Sequence, residues 1–413
     1  MTARIGTAFL VLALAFSCAT VPLLKDETPS SFMRIPFVRV LLDESQTQVT
    51  VGGDRQFAIE CLKDGEQEVY YSNRPVTIIN RGQFLAVENT QQAVITENID
   101  EVNVIPRGAT NRLQVGGKRY RGLMKLLPDG YVVQLINVVY MEDYLRGVVP
   151  PEIGKRADSE IEAVKAQAVA ARTYAMAHLQ QYPSEQYDMK SSIMDQVYQG
   201  LSVENDLINR SIDGTAGQTI TFDDKFINAY YHSTCGGMTD DIESVWDRKE
   251  TPYLKAVADS GACSWSKYYT WREVFTESQL RGRLEQYLSS DRGRDMVISR
   301  ITDVVPAERS PGGRIAMMTV VTEAGNYSFK KDRIRWVVGR TSNPDLILPS
   351  DRFDVVIKRD ASGRVETVTF KGRGYGHGVG MCQCGAIGLA RQGWSFNAIL
   401  QHYFTGVELQ TKY

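Results

Sequence analysis

Glu152 closes the run Tyr144-Leu-Arg-Gly-Val-Val-Pro-Pro-Glu152, with Ile153 and Gly154 after it. Two prolines before the carboxyl group and a glycine after it describe a rigid loop between a strand and a long helix. A carboxyl group held there beside apolar neighbours is one whose pKa can rise, as a general acid requires. The competing reading is a water-exposed Glu leading into the helix. A second segment, Tyr230-Tyr-His232-Ser233-Thr-Cys235-Gly-Gly-Met-Thr239, combines hydrogen-bonding side chains with glycines that let backbone approach a ligand. His232 and Ser233 do not make a serine hydrolase. Adjacent strand residues point to opposite faces, and no Gly-x-Ser-x-Gly elbow is present. A third segment places six glycines between Gly372 and Gly385, with Tyr375, His377 and Gln383 among them. The order of a phosphate-binding loop is missing, so this reads as a tight loop packed into a groove. The His232 and His377 loops are expected to converge on Glu152. The alternative is that the histidines pack in separate turns.

The elements that must hold these groups are legible in outline. From 34 to about 115 the chain reads as short β-branched and aromatic strands broken by turns, among them Phe37–Leu42, Gln48–Val51 and Val76–Ile79. Strands at Tyr120–Leu127 and Tyr131–Tyr140 follow. The clearest helix spans 159–181, with Ser159 and Glu162 at capping-box spacing and an apolar stripe through Ile161, Val164, Ala168, Ala171, Ala175 and Leu179. Lys165 and Arg172 lie two turns apart on one side of it, as a solvated edge or as part of a site. Further helices are expected at 277–289, 384–392 and 395–403, among strands such as Gln218–Phe222, Ile315–Val321 and Val365–Phe370. Clustered strands with inserted helices predict an α+β fold. The expected organisation is an export signal over 1–18, a β-rich domain over 34–115 and a larger domain over 116–413.

Composition narrows the function. Lys plus Arg is 47, Asp plus Glu is 49, and the formal net charge is −2. That balance argues against nucleic acid as the main partner. Arg4, the apolar run Phe9–Phe16 and the small residues Ser17-Cys18-Ala19 form a secretory signal, too short to span a bilayer comfortably. Cys18 is either the lipidated residue of a lipoprotein or part of a simple cleavage site, the former slightly favoured. The protein is therefore expected in the cell envelope or periplasm, touching membrane only through that anchor. Cys235 and Cys263 lie close enough in sequence to pair as a disulfide that pins a glycine-rich loop. Two buried thiols are the alternative.

Taken together, Tyr144–Glu152, Glu162–Tyr174, Gln196-Val-Tyr198, His232–Gly237, Pro252-Tyr-Leu254 and Gly376–Ala386 resemble the SpoIID/LytB family in order and spacing, from about residue 110 to the C-terminus. The resemblance implies a lytic transglycosylase of peptidoglycan glycan strands, peptide-denuded or not, with Glu152 as its single acid/base. Glu152 would protonate the glycosidic oxygen leaving N-acetylmuramic acid. As carboxylate it would then take the proton of the sugar's own C6 hydroxyl, closing a 1,6-anhydro ring. Lys165, Arg172, Tyr174, His232, Ser233, Tyr375, His377 and Gln383 would bind or polarise the sugar, with Lys165 or Arg172 meeting the lactyl carboxylate. The alternative is a non-catalytic glycan-binding amidase enhancer, partnered with an amidase or another cell-wall hydrolase, although the retained Glu152 favours the enzyme. Some relatives bind zinc through a Cys and a His-Cys pair ahead of Gln-Val-Tyr. Here Met189, Ile193, Met194 and Asp195 stand there, so neither metal nor cofactor is expected.

Overall fold

Alternating valines begin the described chain and fix its first strand. A computed structural model describes residues 35–192, 195–343 and 345–413. The expected export signal over 1–18 and its Cys18 lie outside the described residues. Val38 and Val40 are fully buried, and their strand Phe37–Asp43 runs antiparallel to Val132–Tyr140, with Val40 opposite Asn137. These two strands lie in a seven-stranded sheet that also takes in residues 57–63, 66–72, 101–106, 123–129 and 189–190. A six-stranded sheet is built from 48–53, 76–80, 85–88, 94–99, 113–115 and 118–120. Both sheets feed one core, through Phe57, Ile59, Met124 and Val133 from the first and Val51, Ile78 and Leu85 from the second. Each such side chain contributes about 1.5–3 kcal/mol of burial. The sheet runs across the expected boundary at 115/116, since the strand from 37 pairs with the strand from 132. A second core gathers Phe275, Leu284, Met318, Phe329, Val368 and Phe370. It is enclosed by the helix Glu277–Arg292 and by strands between 270 and 373. Mixed strands and helices in separate sheets make the fold α+β.

Glu152 is helical. Helix α1 (Met141–Ile153) contains Pro150 and Pro151 and stops at Gly154, whose φ of 73° ends the regular turn. The loop expected from two prolines is thus the last turn of a helix. Proline lacks an N–H, so Pro151 leaves the carbonyl of Gly147 unused by the helix. Gln199 N–H takes that carbonyl at 3.1 Å, which ties α1 to the Gln196–Tyr198 segment. Gly147 serves the same contact, because a Cβ there would lie 2.7 Å from Tyr198 Cδ2.

Helix α2 (Ile161–His178) follows a short 3₁₀ turn, Asp158–Glu160. The expected Ser159–Glu162 box does not form. Glu160 instead accepts the Ala157 N–H, while Glu162 bonds Lys165 Nζ and the Phe396 N–H. The alanines of α2 from Ala163 to Ala175 lie in the main core, and Arg172 among them is completely buried. Its guanidinium forks onto the Glu142 carboxylate, with Nε 2.9 Å from Oε1 and Nη2 2.5 Å from Oε2, and donates to the Gln218 carbonyl. Tyr413 and the Gly217 N–H bond the same carboxylate.

Two stability predictions follow from these contacts. Arg172→Ala removes one partner of a buried ion pair and should cost about 3–5 kcal/mol, whereas Lys165→Ala, in a half-exposed pair, should cost at most about 1 kcal/mol. Gly147→Ala should destabilise by about 1–3 kcal/mol through overpacking. Urea denaturation of the three variants measures each loss.

Candidate functional site

The Gln196-Val-Tyr198 segment orients the Glu152 carboxyl group. Tyr198 lies on Tyr144 of α1, with ring centroids 5.3 Å apart, and its hydroxyl donates to Asn137 at 2.7 Å. Gln196 is buried, accepting the Tyr144 hydroxyl at 3.0 Å and donating to Tyr231 Oη at 3.0 Å. So fixed, the segment aims the Val197 N–H at Glu152 Oε1, 3.4 Å away. The Gln383 amide is the second group bonding this carboxylate, and it also reaches Gln167 at 3.3 Å. Burial raises the Glu152 pKa above the ordinary carboxylate range, and these two hydrogen bonds only partly offset it.

The two glycine-rich segments are paired through their backbones. Tyr231–His232 runs parallel to Met381–Cys382, and Thr234 forms an antiparallel bridge to Tyr375 with N–H···O distances of 3.0 and 2.7 Å. Gly376 is needed for this approach: its φ is 107°, and a Cβ would lie 2.8 Å from His232 Cβ. Burial disfavours the charged form of both histidines. His377 accepts the Val379 N–H at Nδ1 and so donates from Nε2 to the Tyr231 carbonyl, at 3.1 and 2.9 Å. Burial pulls it down to about 4, and Arg335 and Arg314 act in the same direction against Asp332. His232 is held well below its usual range, first by burial and then by His377 and Arg314. Its Nδ1 donates to the Val379 carbonyl at 3.2 Å, which leaves Nε2 a buried acceptor with no partner.

These groups line one cleft of about 500 Å³ with Tyr174, Ser233, Tyr375 and Gln383. Larger hollows of about 740 and 910 Å³ lie over the second core, and neither contains a histidine. Of the residues expected to serve the site, Glu152, Tyr174, His232, Ser233, Tyr375, His377 and Gln383 all line this cleft. Lys165 and Arg172 do not. Lys165 is paired with Glu162, and Arg172 is closed off within the core against Glu142; two turns of spacing placed both on one side of α2 without showing that this side is covered.

The cleft also contains residues to which the sequence reading gave no role there, notably Tyr230, Tyr231, Trp246 and Asp195 as a second carboxyl group. Trp246 packs on His377 with centroids 4.9 Å apart, and its only sequence signal was an isolated aromatic in a polar run. Asp195 is occupied by the Lys190 N–H at 2.8 Å, Gln181 Nε2 at 3.0 Å and the Tyr182 hydroxyl at 3.2 Å. Ile193 and Met194, which figured in the expectation of no metal, lie outside the described residues. The buried Arg314 was not anticipated either. It pairs with Asp351 and donates to the Gly376 carbonyl, and a Cβ on Gly378 would collide with it. The expected Cys235–Cys263 disulfide is absent: the sulfur atoms are 3.5 Å apart and both thiols are free.

The Stage II sporulation protein family model matches residues 130–222, which carry Glu152, α2 and the Gln-Val-Tyr segment. A domain of unknown function matches 262–380, which holds the second core and Arg314. An uncharacterized protein of Brachyspira hyodysenteriae is 30% identical over 344 residues, 82% of this chain and 85% of that protein. Stage II sporulation protein D of Bacillus amyloliquefaciens is 31% identical over 290 residues, 66% of this chain and 75% of that protein. The amidase enhancer of Bacillus subtilis is 29% identical over 334 residues, 73% of this chain and 45% of that longer protein. On this identity and coverage, and with its motifs assembled in one cleft, the chain belongs to the SpoIID/LytB family.

Proposed function

We propose that this protein is an exported peptidoglycan lytic transglycosylase of the bacterial cell envelope, with Glu152 as acid and then base. The observation that carries this reading is a carboxyl group whose pKa burial raises, set in a cleft lined, apart from Asp195, by aromatic, hydroxyl, amide and imidazole groups. Protonated Glu152 gives its proton to the glycosidic oxygen as the bond to C1 of N-acetylmuramic acid breaks. The resulting carboxylate takes the proton of the C6 hydroxyl as that oxygen bonds C1. The acid is thereby restored and no water is consumed, so a second carboxylate with an open face is dispensable. Asp195 suits a positioning role, since three donors already occupy it. The bare Nε2 of His232 offers an acceptor to a sugar hydroxyl or acetamido N–H. Tyr174, Tyr230 and Trp246 supply flat apolar faces for sugar rings.

The name of the amidase enhancer supports a second reading, in which the cleft binds glycan and assists a partner hydrolase without turnover. Product analysis separates the two. Wild-type protein on purified glycan strands, with and without stem peptides, should release 1,6-anhydro-muramoyl ends. Glu152→Gln should bind the strands normally and lose about 10²–10⁴-fold in rate. Asp195→Asn should fall much less. Equal loss in both variants, with reducing rather than anhydro ends, would indicate a hydrolase, and binding without products would indicate the enhancer.

The pH dependence has a definite sign. Only protonated Glu152 starts the reaction, so kcat/KM should decline as pH rises through its elevated pKa. A profile flat into alkaline pH would remove Glu152 from the role of acid.

A further inference from the structure

We propose that Cys235, Cys263, Cys382 and Asp259 bind a zinc ion beneath the cleft. One ligand atom from each of the four lies within 4.8 Å of all the others, although they come from three separate stretches of chain. Cys235 Sγ is 3.5 Å from Cys263 Sγ and 3.1 Å from Asp259 Oδ2. Around a tetrahedral zinc with Zn–S of about 2.3 Å and Zn–O of about 2.0 Å, ligand atoms stand roughly 3.5 Å apart. Small adjustments suffice to close the shell.

The surroundings of these groups favour a cation over three idle thiols. The cysteines are completely buried and Asp259 is 1% exposed. Asp259 accepts the Gly261 and Cys263 N–H groups, yet it forms no ion pair among the described residues. A carboxylate buried without a cation is costly. Three backbone N–H groups are already aimed at sulfur: Cys235 and Gly385 at Cys382 Sγ, at 3.1 and 3.2 Å, and Gly237 at Cys235 Sγ, at 3.3 Å. Such donors stabilise metal-bound thiolates from the outer shell. Tyr403 Oη is buried without a partner, and a Cβ on Gly385 would strike it and lie 3.2 Å from Asp259 Oδ2. A disulfide would use two sulfurs and leave the third thiol and Asp259 uncompensated, whereas a zinc ion uses all four groups.

A thiolate-rich set with four protein ligands and no open position is that of a structural zinc. Its place in the fold gives it a task. Cys235 follows His232 by three residues and Cys382 follows His377 by five, so one ion would clamp the bases of both cleft loops. The expectation of no metal rested on the residues around Asp195 and did not weigh this cluster.

Metal content tests the proposal whether or not the cleft cleaves glycan. The full mature chain, purified without chelators under reducing conditions, should contain about one zinc per molecule, released when a mercurial blocks the thiols. Cys263→Ser and Cys382→Ser should fall to near zero, while Cys384→Ser, just outside the cluster, should keep its zinc. Should the first two variants fail to fold, cobalt substitution of the wild type gives an independent readout: thiolate-to-cobalt absorption with intense tetrahedral bands is the expected result. Wild-type protein that neither carries zinc nor takes it up when reduced would overturn the proposal. So would peptide mapping that finds Cys235 joined to Cys263 in the exported protein.

Discussion

The parallel pairing of Tyr231–His232 with Met381–Cys382 is the contact on which the cleft depends. Two strands so distant in sequence meet over only two residues each, too few to be stable alone. Their register is held from several sides. Thr234 and Tyr375 exchange backbone hydrogen bonds beyond the strand ends, and Asp240 pairs with the Gly378 carbonyl on the other side. Glycines permit this density of backbone. Gly380, at φ 70°, would drive a Cβ into the Tyr230 carbonyl. Once the register is set, the backbone defines both imidazoles, since Val379 and Tyr231 bond their ring nitrogens.

The cleft acquires its character from the burial of its titratable groups. Burial raises Glu152 and lowers both histidines, so all three favour their neutral forms. Three nearby buried cations are neutralised inside the fold, Arg172 by Glu142, Arg335 by Asp332 and Arg314 by Asp351, while Arg248 donates to the Tyr230 hydroxyl. A lining with few free charges suits hydroxyls and acetamides better than phosphates. Among the described residues that line the cleft there is no cation to hold Glu152 ionised.

What was legible in the sequence followed periodicity and local chemistry. The apolar stripe of α2 and the alternation that begins at Phe37 are local patterns, and each became the expected element, as did the helix expected at 277–289. The motif residues on Glu152 and the two glycine-rich loops share one cleft. What escaped depends on partners remote in sequence. Spacing located Arg172 on a face of α2, but only the fold shows Glu142, Tyr413 and Gly217 meeting there. Pro150 and Pro151 suggested a loop, because a proline ordinarily ends a helix at the residue before it. The Gln199 N–H satisfies the carbonyl freed by Pro151, and the helix continues to Ile153. The N-terminal β-region read as a separate domain because its strands are short and turn-rich, yet its first strand is completed by one a hundred residues later.

Glu152 and the histidine loops share the main core, and the His377 loop is tied in addition to the second core through Arg314. Glu152 stands on α1, and Val379, Met381 and Cys382 pack in the same main core; the His377 loop also accepts from Arg314, which immediately precedes the strand Ile315–Thr322 beside the second core. Arg314 is fully buried, with Asp351 on one side and Asp240 at 3.9 Å on the other. Asp240 also accepts the Gly312 N–H at 3.2 Å and stands just beyond the His232 loop. Such a network gains little over apolar packing in free energy, but removing one member leaves others buried and unpaired. That asymmetry penalises slippage between the two cores more than it adds to stability. A charged bridge of this kind sets where the His377 loop stands relative to α1, and with it the shape of the cleft around Glu152.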